Sequence, residues 1–259
     1  MIWMYTGTNG SGKSVHAARD IYSRLRRRKH NRVIATFDIN TDSIKGMKGD
    51  VTYINIYKIT PKWLIKYALE HHVLDGPVNE VEGQTIVIID EAQRIFNSRD
   101  YNANDRRAWL DWFPEHRKWG FNFILITPHD KMIDKQIRAL VEYEVRHRKA
   151  NNFGFIGFVI TLFGKQCFFC ITYWYSVKVK CEVEVVFGRD RYYKLYNTFQ
   201  RFNKGGDPAA ARAGGAASPV GGPTTLAADE DRRKLMQRLV CVLAVAYDKT
   251  ASAAWAPEI

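Results

Sequence analysis

The chain has 259 residues, of which 46% are hydrophobic and 25% are charged, so it buries a sizeable core and has room for one or two domains. Four cysteines suit a reducing compartment and exclude a disulfide framework. The net charge of +12 is unusual and directs attention to anionic partners.

A glycine-rich loop follows the first apolar segment. Residues 1–5 read Met-Ile-Trp-Met-Tyr and predict a buried strand, and residues 15–22 predict a helix. Between them stands the pattern GxxxxGK[ST], which consists of Gly7, Thr8, Asn9, Gly10, Ser11, Gly12, Lys13 and Ser14. Strand, loop and helix in this order are the setting that a phosphate-binding P-loop requires.

The residue types of the loop suit a nucleoside triphosphate. Glycines 7, 10 and 12 permit the dihedral angles that turn backbone amides toward phosphate oxygens, and the helix N-terminus adds positive potential. We expect Lys13 to reach the β- and γ-phosphates and the Ser14 hydroxyl to ligate Mg²⁺. The sequence therefore predicts ATP and Mg²⁺ as cofactors.

Basic residues cluster in three places along the chain. The first cluster, near the end of the predicted helix, is Arg24, Arg26, Arg27, Arg28, Lys29, His30 and Arg32; the others are Arg106, Arg107, Arg117 and Lys118, and Arg146, Arg148 and Lys149. Such clusters contact phosphodiester backbones, lie against an anionic membrane surface, or are simply solvated. The sequence leaves these three interpretations open.

An acidic pair ends a second buried segment. Residues 85–89 are all apolar or β-branched, as in a strand covered on both faces, and Asp90 and Glu91 follow at once. We expect Asp90 to hold Mg²⁺ through water and Glu91 to orient and deprotonate the attacking water. An adjacent glutamate indicates an ATPase with an extra strand between the two motifs, and residues 32–37 and 51–56 supply two predicted strands in that interval.

A further strand is predicted at residues 121–127. Thr127 or His129 at its end is placed to sense the γ-phosphate, or belongs to ordinary loop structure. The fold class that these elements predict is α/β, with a mostly parallel sheet flanked by helices and a β-rich extension near residues 155–187.

The segment Phe153–Tyr175 permits two interpretations. Its 23 mostly apolar residues are long enough to span a bilayer, but the central Lys165 is costly in a membrane. Two strands at residues 155–163 and 167–175, joined by a Gly-Lys-Gln turn, are favoured by β-branched and aromatic content. In this second interpretation Cys167 and Cys170 are buried apolar residues rather than ligands of a metal.

The composition changes after Lys204. Residues 205–223 are rich in Gly, Ala and Pro and predict a flexible linker, and residues 229–247 predict a helix with an apolar face. We therefore expect a nucleotide-binding domain at residues 1–203 and a tail at residues 204–259. No signal peptide is expected, because the first strand begins at residue 1 without a charged leader.

Several stretches together resemble the Zot-like family, named after the N-terminal domain of zonular occludens toxin. They are the loop at 7–14, Ile89-Asp90-Glu91-Ala92-Gln93-Arg94, residues 114–127 with His116-Arg117-Lys118, and residues 133–148 with Ile137-Arg138 and His147-Arg148. The resemblance covers residues 1–200. The family usually has Gln where Pro128 follows Ile-Thr here, which weakens a sensor role at that position.

The resemblance implies a P-loop ATPase that powers assembly and extrusion of filamentous phage particles. It also implies phage coat protein, single-stranded phage DNA and the host inner membrane as partners, a homo-oligomer, and a place in the host cytoplasm at the cytoplasmic face of that membrane. In such machines an arginine is often donated by a neighbouring subunit. Arg117 is the first candidate for this catalytic role, and Arg94, Arg99 and Arg138 are others.

Two other functions remain open from the sequence. A small-molecule kinase is compatible with the length and the P-loop, although an Asp-Glu pair at this strand end favours water as the acceptor. The other is a nucleotide-switched protein that tethers DNA or coat protein with slow hydrolysis. Release of phosphate without an added acceptor separates a hydrolase from a kinase.

Overall fold

Strands and helices alternate along the chain in the computed structural model, which describes residues 1–97, 104–150 and 166–196. The strands are β1 (Ile2–Thr6), β2 (Arg32–Ala35), β3 (Val51–Tyr53), β4 (Thr85–Ile89), β5 (Phe121–Ile126), β6 (Tyr143–Lys149), β7 (Cys167–Trp174) and β8 (Val179–Phe187). The α-helices are α1 (Lys13–Leu25), α2 (Pro61–His71), α3 (Val78–Val81), α4 (Asn104–Trp112), α5 (Lys135–Ala139) and α6 (Asp190–Leu195).

The strands of the described residues form one sheet in the order β3-β2-β4-β5-β1-β6-β7-β8. From β3 to β6 all neighbours are parallel, and β7 and β8 are added antiparallel at one edge. This confirms the predicted α/β class with a mostly parallel sheet. The strand between the P-loop strand β1 and the acidic strand β4 is β5, whereas β2 and β3 lie beyond β4. The extra strand between the two motifs is therefore β5, which follows Asp90 in the chain. The prediction that residues 32–37 or 51–56 supply it is wrong.

Helices cover both faces of the sheet, which explains why its central strands are almost wholly apolar. On one face α1 and α6 bury Ala17, Ala18, Ile21, Leu25, Tyr192 and Leu195. On the other face α2, α4 and α5 bury Leu64, Tyr67, Trp109, Trp112 and Ile137 against Phe121 and Phe123. The two layers hold β1 and β4 rigidly, so that the loops after both strands meet at the same edge.

The second half of the ambiguous apolar segment is a strand within the sheet. Strand β7 pairs with β6 and with β8, and residues 167–170 are all buried. A membrane-spanning helix over Phe153–Tyr175 is therefore wrong for residues 167–174. The predicted partner strand at 155–163 lies outside the described residues; the strands that pair with β7 are β6 and β8. Within the described ranges, no helix is both long enough and apolar enough to cross a bilayer.

Some sequence predictions fall on parts of the chain that the structure does not describe. These are Arg99, the linker at 205–223, the helix at 229–247, Cys241 and the domain boundary near residue 203. They stay predictions. Cys167 and Cys170 are buried on β7, as expected for apolar cysteines, and Cys181 is exposed.

Candidate nucleotide-binding site

The glycine-rich loop lies where the motif requires it, between the end of β1 at Thr6 and the start of α1 at Lys13. Gly7, Gly10 and Gly12 all have positive φ angles, of 142°, 74° and 101°. A Cβ atom at Gly7 would stand 2.6 Å from the carbonyl oxygen of His147, and one at Gly12 would overlap the Phe168 ring. Glycine is thus needed for both the backbone conformation and the close approach of β6 and β7.

Lys13 closes the loop upon itself. Its Nζ donates to the carbonyl oxygens of Gly7 at 2.6 Å and Thr8 at 3.1 Å. Burial lowers the pKa of Lys13, while the negative charges of Asp90 and Glu91 oppose this shift. The ammonium group therefore lies within electrostatic reach of both acids, and the structure brings these three predicted residues together.

Asp90 stands at the carboxyl end of β4 in a dense set of hydrogen bonds. Its amide donates to Thr36 Oγ1 at 3.0 Å, and its Oδ1 accepts from the amide of Glu91 at 2.9 Å. Its Oδ2 accepts from the hydroxyl of Tyr196. Burial raises the pKa of Asp90, whereas the bond from Tyr196 acts in the opposite direction.

Tyr196 brings its hydroxyl to Asp90 from a distant part of the chain. Burial and the negative charge of Asp90 raise the pKa of Tyr196, so this hydroxyl stays protonated and acts as the donor. The sequence offers no sign that Tyr196 enters the site, since it lies 106 residues after Asp90 in the chain.

Glu91 is half-buried directly after Asp90. Its backbone is left-handed, with a φ angle of 53°, and it begins a 3₁₀ turn over Ala92–Arg94. The side-chain amide of Gln93 donates to Glu91 Oε2. Gln93 thus orients the carboxylate of Glu91 within the Asp-Glu-Ala-Gln stretch.

The end of β5 touches the P-loop through its backbone. The amide of Gly7 donates to the carbonyl oxygen of Pro128 at 3.2 Å. Thr127 is fully buried, and its hydroxyl donates to the carbonyl oxygen of His129 at 3.2 Å. His129 Nδ1 accepts from the amide of Lys131. Both side chains therefore form hydrogen bonds within this loop, which agrees with the interpretation that they belong to ordinary loop structure.

The structure does not bring Arg117 to the P-loop of its own chain. Arg117 pairs with Glu82 at 2.9 Å, and its neighbour His116 contacts the amino group of Met1 at 3.0 Å. These groups lie at the amino ends of the parallel strands, a strand length of about 17 Å from the loop. Arg94 is on the turn after Glu91, and Arg138 is on α5 beside Asp130 and Tyr175. A role for any of them in a neighbouring subunit stays a prediction.

Two buried histidines lie directly behind the loop. Arg19 donates to His16 Nε2 at 2.7 Å, so His16 carries its proton on Nδ1, which faces His147 Nε2 at 2.8 Å. His147 Nδ1 then donates to the carbonyl oxygen of Thr6 at 3.1 Å. Cys170 is near enough to both rings to complete a metal site, but the hydrogen bonds of the rings are already satisfied by protein groups.

The basic clusters are less uniform than the sequence predicted. Arg24 is buried and donates to the carbonyl oxygen of Gly83, and its pKa falls to about 10 because of desolvation. Arg32 donates to the carbonyl oxygen of His71 at 2.6 Å. What remains exposed after α1 is the run at 26–29. In the second cluster, Arg106 pairs with Asp134 at 3.0 Å.

Comparison with known proteins gives a family and several phage relatives. The family model described as zonular occludens toxin (Zot) matches residues 1–169. The gene 1 protein of Enterobacteria phage fd is 34% identical over 79 residues, and that of Enterobacteria phage I2-2 is 35% identical over 80 residues. Each match covers 30% of this chain but only 22% of the relative, so the chain matches about a fifth of those proteins.

A solved structure is also similar. The N-terminal domain of zonular occludens toxin from Neisseria meningitidis is 19% identical, with a TM-score of 0.48. The similarity covers 76% of this chain and 98% of that domain.

Proposed function

The chain belongs to the zonular occludens toxin family, and from this premise we propose that it is a Mg²⁺-dependent P-loop ATPase that powers assembly and extrusion of filamentous phage particles. The observation that carries the ATPase proposal is the convergence of Lys13, Ser14, Asp90 and Glu91 at one edge of the sheet. The phage relatives support the place of this activity in phage assembly.

Each residue of the edge has a chemical task in this proposal. The amides of residues 9–14 and the N-terminus of α1 surround the phosphates. Lys13 leaves the carbonyl oxygens of Gly7 and Thr8 and pairs with the β- and γ-phosphates, which are stronger partners for an ammonium group. Glu91, oriented by Gln93, positions the attacking water and accepts its proton.

The oxygen groups present fit a magnesium ion. Ser14 and Asp90 supply a hydroxyl and a carboxylate, which are hard oxygen ligands, and Asp90 is 7% exposed and thus shielded from bulk water. In this proposal Ser14 binds the ion directly and Asp90 binds it through water. When bound, the ion neutralises the charge that develops on the phosphates.

Two variants test the ATPase proposal against the kinase and the tether. We expect the wild-type protein to release phosphate from Mg²⁺-ATP without an added acceptor. Lys13→Ala should abolish nucleotide binding. Glu91→Gln should bind nucleotide normally but lose about 100-fold or more in turnover, because a general base usually contributes about 10²–10⁴-fold to the rate. Binding is measured with a fluorescent ATP analogue and turnover by phosphate release.

The outcomes separate the three functions. Phosphate release that requires an added acceptor would indicate a kinase. Tight binding with negligible turnover in the wild type would favour the nucleotide-switched tether. Normal turnover in Glu91→Gln would remove that residue from the catalytic role. Glu115→Gln is the control, because it removes an exposed carboxylate at the opposite end of the sheet.

The partners of the proposal are single-stranded phage DNA, phage coat protein and the host inner membrane, with the chain acting as a homo-oligomer at the cytoplasmic face of that membrane. The exposed basic run at 26–29 supports an anionic partner. Because this run lies at the end of α1 away from the P-loop, such a partner and the nucleotide occupy opposite edges of the sheet.

A further inference from the structure

Three buried side chains that can ligate a metal ion meet behind the P-loop. His16 comes from α1, His147 from β6 and Cys170 from β7, and the three residues are 5%, 3% and 1% exposed. Their ligating atoms, one from each residue, all lie within 4.8 Å of one another. His147 and Cys170 are direct cross-strand partners, so their side chains share one face of the sheet. The sheet thus fixes two members of the cluster, and the helix brings the third.

The residue types of this cluster select the kind of ion. Two imidazoles and a thiolate suit a transition metal such as Zn²⁺, whereas Mg²⁺ and Ca²⁺ require oxygen ligands. Bond lengths of about 2.0 Å for Zn–N and about 2.3 Å for Zn–S place the ligand atoms of a tetrahedral ion about 3.3–3.6 Å apart. His16 Nδ1 and His147 Nε2 are 2.8 Å apart. The two rings therefore need to separate by only about 0.5 Å to hold the ion.

The groups around the two rings are those that ligating histidines need. His147 Nδ1 donates to the carbonyl oxygen of Thr6 at 3.1 Å, which leaves Nε2 as the atom that faces the cluster with a lone pair. His16 Nε2 lies 3.6 Å from Asp20 Oδ2 and 3.9 Å from Glu184 Oε2. A carboxylate that accepts the second N–H of a ligating histidine is a usual outer partner of zinc.

The hydrogen bonds of the rings can be exchanged for an ion without leaving a buried polar group unpaired. The proton of His16 moves from Nδ1 to Nε2, where Asp20 is the acceptor, and the thiol of Cys170 releases its proton to solvent as it binds the ion. Arg19 loses its bond to His16 but keeps those to Asp20 Oδ1, at 3.1 Å, and to Glu184. Two carboxylates and a thiolate then outweigh the single positive charge of Arg19, which favours a divalent cation.

We propose that His16, His147 and Cys170 form a zinc site that is separate from the magnesium–nucleotide site and joins α1, β6 and β7 behind the P-loop. The site lies directly against the loop, since a Cβ atom at Gly7 would stand 2.6 Å from the carbonyl oxygen of His147. Zinc therefore stabilises the part of the fold that carries the loop. This role does not depend on ATP hydrolysis.

Cobalt tests the site, because Co²⁺ occupies zinc sites and a thiolate ligand gives it a charge-transfer band in the near ultraviolet. We expect wild-type protein without nucleotide to bind an equimolar amount of Co²⁺ with this band, and Zn²⁺ but not excess Mg²⁺ to remove it. Cys170→Ser should lose the band. Cys167→Ser is the matched control, because this buried cysteine is on the same strand but three residues away, on the opposite face. A wild type without the band, or a band that survives in Cys170→Ser, would overturn the proposal.

Two measurements on the wild-type protein decide the matter even if the variant folds poorly. X-ray absorption at the zinc edge should show two nitrogen ligands from imidazole and one sulfur ligand, and a spectrum without sulfur would overturn the proposal. Zinc at about 100 times its Kd should raise the melting temperature by about 5–10 °C, and an unchanged melting temperature would also overturn it. If zinc binds but no phosphate is released from ATP, only the proposed function fails; if phosphate is released and zinc does not bind, only the zinc site fails.

Discussion

Gly12 shows how one residue combines two requirements. Its φ angle of 101° lies in the region that side chains disfavour, and the Phe168 ring fills the space where a Cβ would stand. The first requirement follows from the P-loop motif and was visible in the sequence. The second depends on β7, which comes about 155 residues later in the chain, and no local pattern indicates it.

Gly12→Ala should lower the free energy of unfolding by about 2–6 kcal/mol, since a strained backbone and an overpacked contact each cost about 1–3 kcal/mol. Gly46→Ala is the control, because Gly46 has a similar positive φ angle of 70° but open space around it. It should lose only the backbone contribution, about 1 kcal/mol. Urea unfolding compares the two, and equal losses would show that Phe168 does not limit the position.

At the scale of elements, a polar network joins α1 to the antiparallel edge of the sheet. His16 on α1 contacts His147 on β6, and Arg19 pairs with Asp20 and with Glu184 on β8. Desolvation lowers the pKa of both His16 and His147 well below the ordinary value. Burial also lowers the pKa of His72 and of His116 to about 4. The folded protein therefore keeps these histidines neutral at pH 7.

The four histidines with lowered pKa values predict that the protein loses stability in weak acid. The unfolded chain protonates each histidine near pH 6.5, while the folded protein excludes the proton, so the stability is full above pH 6.5 and falls as the pH decreases toward the lowered pKa values. Each such histidine contributes a slope of about 1.4 kcal/mol per pH unit. Asp20 and Asp90, whose pKa values burial raises, act in the opposite direction at lower pH.

Urea unfolding at pH 7.5, 6.5 and 5.5 measures this dependence. We expect a loss of about 1 kcal/mol between the first two values and a further loss of about 2–5 kcal/mol between the last two. The same stability at pH 5.5 and 7.5 would contradict the neutral state that burial gives to the histidines.

At the scale of the whole molecule, the sheet separates two edges with different chemistry. The P-loop and the acids lie at the carboxyl edge, and the exposed run at 26–29 lies about 20 Å away, at the other end of the 13-residue helix α1. Arg117 is also at the amino edge. In the proposed function, an anionic partner and the nucleotide therefore occupy opposite edges of the sheet, with α1 between them.

Replacing Arg26, Arg27 and Arg28 together by Gln should weaken the binding of single-stranded DNA. If all three contact phosphates, the slope of log affinity against log salt should become shallower by about 2. A variant with the same loss of charge outside the three basic clusters, Lys58→Gln, Lys62→Gln and Lys66→Gln, should bind like the wild type. An unchanged slope in the first variant would exclude this run as the DNA contact and leave a membrane surface or simple solvation as its interpretation.

The sequence by itself determined the P-loop, the acidic strand, the parallel sheet and the place of Lys13, Ser14, Asp90 and Glu91 at one edge. These follow from local patterns, because a buried parallel strand is a continuous apolar run and a phosphate loop needs glycines at fixed spacing. Only the tertiary structure decided that β5 lies between the two motifs, that residues 167–174 form a sheet strand, and that Arg24 is buried. It also decided that Arg117 is far from the loop of its own chain and that the Tyr196 hydroxyl reaches Asp90. These features depend on contacts between distant parts of the chain, and the residue types involved are equally compatible with ordinary packing or an exposed surface.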